Sequence, residues 1–152
     1  MITESNMILG SADCWSYLRR GEIGRLAVII DDAPDIFPIN FAVQHSAIVF
    51  RSAEGSKIDA LLHTPQVALE VDGFEPESNT AWSVVLKGRA KPINDTDELL
   101  DTLSLDVFPW QPGAKNRFIR IDAEVVTGRR FIVADSSTWS TSLGQAAQSP
   151  NE

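Results

Sequence analysis

Arg51, Ser52, Ser56 and Lys57 are gathered in one short stretch, F-R-S-A-E-G-S-K, at positions 50–57. A guanidinium, two hydroxyls and an ammonium around a glycine form a donor set for an anion. The run before it, AIVFRS, is apolar and β-prone, and SKIDALLH after it reads as a short helix that Thr64-Pro65 closes. A strand-to-helix turn aims the free N–H groups of the new helix at the solvent, where a negative charge is stabilised. Gly55 would let the backbone approach that charge closely. Together these residues could hold one phosphate. They fit a plainer arrangement equally well, in which Ser56 caps the helix and Lys57 is merely solvated.

A second feature precedes them. The run IFPINFAV at 36–43 reads as a strand, yet Pro38 has no N–H to give to a ladder. Such a strand lies at an edge, is bulged, or opens at that point to something other than another strand. Asn40 is polar among apolar neighbours. A flat, amide-rich ring could use both features, with backbone groups for its edge and apolar side chains for its faces. Trp82 and Trp110 could wall such a ring or pack in the core. A phosphate clamp beside a flat-ring platform describes flavin mononucleotide better than a sugar phosphate.

Other chemistries find less support. His45, His63 and Cys14 are the only residues of their types, and no pair falls at metal-ligand spacing, so no dedicated metal site is expected. G-x-S-x-G, G-x-G-x-x-G and phosphate-loop motifs are missing from the sequence. Cys14, next to Trp15 on an amphipathic stretch, reads as a small buried hydrophobe. Glu70 and Asp72 share one side of a strand, where a solvated acidic face is a more common outcome than a hydrolytic pair.

The elements that must position these residues can be read from periodicity. Helices are expected at Ser11–Arg20, with Ser11 as cap, at Ser56–His63 and at Thr96–Leu105. Strands are expected at 24–30, 36–43, 47–52, 66–72, 81–93 and 118–133, the last a long strand or a hairpin. In the last, Ile119, Ile121, Ala123 and Val125 alternate against charged residues, and Gly128 is the expected bend. Six mostly antiparallel strands with too few helices for a parallel sheet point to an α+β, mainly β barrel with short peripheral helices. Residues 11–135 read as one domain, 1–10 as an extension and 136–152 as a polar tail.

Composition bounds the setting. A net charge of −8 over 152 residues disfavours nucleic acid, and any anion site must be a local exception to the global field. One cysteine fits a reducing compartment, and neither a secretory pattern nor a spanning apolar run is visible, so the expectation is a cytoplasmic protein without membrane contact.

The ordered series GRLAVI, P-I-N-F, I-V-F-R-S-A-E-G-S-K, V-A-L-E-V-D and W-S-V-V-L-K-G-R-A, from about Cys14 to Val133, resembles the pyridoxamine 5′-phosphate oxidase-like flavin-binding split barrels. Its small flavin-nucleotide-binding and nitroimidazole-resistance-related branch is the most similar. The resemblance implies a six-stranded split barrel and a homodimer with FMN at the subunit interface. It places Ser56 and Lys57 at the phosphate, with Arg51 and Ser52 at the preceding strand end. Pro38, Ile39, Asn40 and Phe41 fall on the strand whose backbone lines the ring, and Trp82 and Trp110 in regions that face the flavin or the partner. The polar C-terminus does not match the substrate-binding segment of the vitamin-salvage oxidase. The expectation is therefore an FMN-dependent oxidoreductase acting on some other small or cofactor-like molecule. A non-catalytic flavin carrier or sensor and a deazaflavin-dependent reductase are the alternatives, and the surroundings of His45 and His63 argue against haem.

Overall fold

A computed structural model describes residues 6–53, 55–94 and 117–133, without the side chain of Ser56. Along the chain run β1 (Asn6–Leu9), α1 (Ser11–Arg20), β2 (Ile23–Ile30), β3 (Ala33–Gln44), β4 (Ala47–Ser52), α2 (Ser56–His63), β5 (Gln66–Glu75), β6 (Thr80–Pro92) and β7 (Arg117–Ile132). The strands pair in the order β1-β7-β4-β3-β2-β5-β6, all antiparallel, and β6 returns to β7. Strands β2 to β7 thus close a ring. The fold is the α+β, mainly β arrangement expected, with β1 as a short seventh strand on the part of β7 that β4 does not reach. The expected helix at 96–105, Trp110 and the tail at 136–152 lie outside the described residues.

Turn chemistry makes the strands longer than periodicity alone suggests. Asp31 and Asp32 both have positive φ, 51° and 65°, and form a two-residue turn between Ile30 and Ala33. Turns of that hand match the twist of a hairpin, and aspartate tolerates the conformation. β3 therefore begins at Ala33, before the expected start at 36. Likewise β5 runs past its expected end at 72 to Glu75, and β6 starts at Thr80 after a turn at residues 76–79.

The inner face of the ring carries the core. Leu26 and Val28, Ile48 and Phe50, Leu69 and Val71, Val84 and Leu86, and Ile119 and Ile121 are buried from five strands, joined by Cys14, Tyr17 and Leu18 of α1 and Ile58 and Leu61 of α2. Cys14 is thus the small buried hydrophobe expected, and burial raises its thiol pKa. The alternation expected through β7 fails at one place. Lys87 opposes Val125 while Gly88 opposes Ala123, so Glu124 is an extra residue in β7. This bulge reverses side-chain parity beyond it. Val125 is 51 % exposed, and Val126 packs on the core in its stead. The irregularity thus falls at Glu124; Gly128, the expected bend, instead sits where an added Cβ would lie 2.9 Å from Cys14 Sγ. Both helix starts also differ: Gly10 occupies the cap position of α1 and Gly55 that of α2, which makes Ser11 and Ser56 the first helical residues.

On the outer face Arg25 opposes Glu70, and its Nη1 lies 3.3 Å from both Glu70 Oε2 and Asp72 Oδ2. The two acids share one side of β5, as alternation requires, and one guanidinium serves both. Burial of the Glu70 carboxyl, with the Asp72 carboxylate beside it, outweighs Arg25 and pushes Glu70 up to about 7. Among the described residues no helix is long and apolar enough to cross a membrane.

Two outcomes are expected. A Cβ on Gly88 would lie 2.1 Å from the Asp122 carbonyl oxygen at the bulge. Gly88→Ala should therefore cost about 2–3 kcal/mol, seen as a lower denaturant midpoint at unchanged slope. Glu70 holds its proton more tightly folded than unfolded, so its contribution favours the fold at low pH and is lost as pH rises from 4.5 towards 7. Discounted for solvent on this face, Glu70→Gln should raise the melting temperature at pH 8 by ~3 °C, or about 1 kcal/mol, and leave it nearly unchanged at pH 4. An equal shift at both pH values would refute the assignment.

Candidate functional site

The site follows from where β3 and β4 stop pairing. Their ladder runs from Gln44↔Ala47 to Phe41↔Phe50 and ends there, while β3 continues to Ala33 along β2 and β4 continues to Ser52 along β7. Beyond Phe41 and Phe50 the two strands part. Over residues 33–40 no strand among those described pairs with the edge of β3 that faces away from β2. The Phe41 N–H donates to the Glu22 carbonyl at 3.1 Å. Antiparallel alternation then directs the backbone groups of Ile39 and Phe41 at β2, and those of Ile36 and Pro38 at the open edge. Pro38 therefore stands where the ladder asks no N–H of it. Its presence in a strand is explained by the parting.

Side chains alternate the other way. Asp35 opposes Val28, Phe37 opposes Leu26 and Ile39 opposes Gly24, which puts Asp35, Phe37, Ile39 and Phe41 on the inner side of the ring. Ile39 and Phe41 are buried in the core. Asp35 and Phe37 lie at the rim, and α2 comes down on them. Its apolar residues Ile58 and Leu61 fill the core, which brings Lys57 Nζ to 3.8 Å from Asp35 Oδ2 and 5.7 Å from the Phe37 ring centroid. The other Asp35 oxygen, Oδ1, accepts the Ile36 N–H at 2.8 Å. On the far side of α2, Arg117 of β7 pairs with Asp59 at 3.3 Å. Gly55 offers no side chain to the first turn of α2, so that turn presents backbone donors beside Lys57.

The structure thus brings Lys57, the start of α2 at Ser56, and the Pro38 strand to one cleft. Ser52 ends β4 opposite Arg117, with its hydroxyl donating to the Ala53 carbonyl at 3.2 Å. Arg51, one residue earlier, points to the other face, where its guanidinium lies 5.0 Å from the Phe118 ring centroid. Asn40 borders an open pocket of about 590 Å³ between β3 and the end of α1, lined also by Arg19 and Glu22. Trp82 is only 6 % exposed and is a core residue, its ring 4.6 Å from that of Tyr17 and packed against Gly73. Trp110 lies outside the described residues.

Asp35 and Phe37 at this cleft, and Asp59 and Arg117 on the far side of α2, are not among the residues that local motifs single out. Alternation could have found two of them, since Asp35 and Phe37 share the inner row of the strand that carries Pro38. The pairing of Arg117 with Asp59 depends on β7 lying beside β4, a contact without local signature.

A helix start whose cap residue, Gly55, gives no side-chain hydrogen bond, with an ammonium beside it, is a place for an anionic group, and a strand edge without a neighbour among the described strands is a place for a flat polar ring. These features fit a phosphate-bearing flavin. The family model for pyridoxamine 5′-phosphate oxidase matches residues 10–130. An uncharacterised protein of Mycobacterium tuberculosis is 32 % identical over 120 residues, covering 76 % of this chain and 78 % of its own. A crystal structure from Corynebacterium glutamicum, named for the same oxidase, superimposes with a TM-score of 0.76 at 30 % identity over 89 % of this chain and all of that one. The FAD binding protein of Mycobacterium smegmatis gives 0.69 at 31 % identity over 83 % and 98 % of the two chains. The chain belongs to the pyridoxamine 5′-phosphate oxidase family.

Proposed function

We propose that the protein is a homodimeric flavoprotein that binds FMN in the cleft between β3 and β4 and acts as an oxidoreductase on a small molecule. The observation that carries this reading is the parting of the two strands with Lys57 and the start of α2 at its mouth. Lys57 and the first-turn backbone of α2 would hold the phosphate, and the open edge at Ile36 and Pro38 would border the ring. Phe37 supplies an apolar surface beside Lys57. When bound, the flavin supplies the redox chemistry; the residues of the chain bind it, orient it and limit its access to water. A second copy of the chain would cover the cleft. The M. smegmatis relative is described as FAD binding, which favours FAD as the second candidate.

The test begins with the purified protein. It should be yellow or become so with FMN, release the flavin on denaturation, and run as a dimer by light scattering. Protein that neither retains nor takes up flavin would refute the reading. Lys57→Ala should weaken FMN binding by roughly 1.5–3 kcal/mol, at least tenfold, while the far-UV spectrum stays unchanged. Turnover of a nicotinamide donor with trial acceptors would separate an enzyme from a carrier.

A further inference from the structure

The inner row of β3 reads Asp35, Phe37, Ile39 and Phe41, and a carboxylate is out of place at its head. Asp35 is not idle at the rim. One oxygen accepts the Ile36 N–H, a donor aimed at the open edge, and the other holds Lys57 Nζ. Asp35 thus sets its own negative charge against Lys57, the ammonium that an incoming phosphate would use. The second cation bordering α2, Arg117, is matched in the same way by Asp59. Among the described residues, the charges that border α2 from β3 and β7 therefore pair off, Lys57 with Asp35 at the cleft and Asp59 with Arg117 on the far side of the helix, in a chain already at −8.

We propose that Asp35 is a specificity-determining residue: an internal anion that competes with the cofactor's phosphate for Lys57 and so narrows the preference of the cleft for a phosphorylated flavin over an uncharged one. The proposal rests on the flavin reading above. Two like charges bidding for one ammonium repel each other, and the weaker effective positive potential lowers affinity for a dianion far more than for a neutral ring. Lys57 is 64 % exposed and Asp35 43 %, so the pair can open as a phosphate enters without disturbing the core.

The experiment compares FMN with riboflavin, which carries the same ring without the phosphate, by fluorescence quenching on the full chain. Asp35→Asn should tighten FMN binding about tenfold and change riboflavin binding by less than about twofold. Combining it with Lys57→Ala should remove most of that gain, because the two residues act through one ammonium. Asp35→Ser removes the charge yet keeps an acceptor for the Ile36 N–H, and serves if the asparagine variant does not fold. Unchanged or weaker FMN binding in a folded variant, or a parallel change for riboflavin, would overturn the proposal. Should the unmodified protein bind neither riboflavin nor FMN, the flavin reading itself falls and this one with it.

Discussion

Every feature of the cleft depends on one geometric constraint: β3 cannot follow β4 and β2 at the same time beyond Phe41. Closing six twisted strands into a ring forces neighbouring strands apart where their directions diverge. In this chain the divergence falls between β3 and β4, after the pair Phe41↔Phe50. The ladder bonds given up there leave backbone groups at an edge, and an edge inside a protein must be paired, covered or put to use. Pro38 lowers the hazard by removing one donor from that edge, and Asp35 lowers it further by engaging the N–H of Ile36. The same two residues make the edge a poor template for another strand.

Much of this was legible in residue order. The proline within an apolar run pointed to a strand at an edge, bulged or open at that point, and the hydroxyl, glycine and lysine cluster pointed to a strand-to-helix junction. Strand and helix positions followed from alternation and from Thr64-Pro65. Those signals are local, and local physics generates them. What stayed hidden was set by contacts distant in sequence. The bulge at Glu124 lies in the register of β7 against β6, just past the last pair of β7 with β4, and neither pairing has a local signature. The burial of Trp82 needs the ring of Tyr17, brought by a helix from the other end of the chain. Asp35 reads as one more acid in an acidic turn until β2 shows which way its side chain points.

The charge pattern also changes meaning once folded. An overall acidic chain repels anions at long range, yet screening confines that field to about 8–10 Å at ordinary ionic strength. Within the cleft the short-range pairs decide. Lys57 with Asp35 and Arg117 with Asp59 link α2 to β3 and to β7, while the buried Ile58 and Leu61 anchor the helix in the core.

The pairing of β7 carries a consequence for how the chain reaches its native state. Ala47 meets Asp122 and Thr80 meets Ile132, so the ring cannot close until the last described strand is available. On a ribosome, the hairpins from Ile23 to Ser52 and from Gln66 to Pro92 can form as they emerge, with their apolar faces still bare. Closure then waits for residues 117–132, and a topology dominated by such distant partners assembles slowly. The interval exposes the edges of β4 and β6, and their eventual shared neighbour is the strand that makes the nascent chain safe from aggregation.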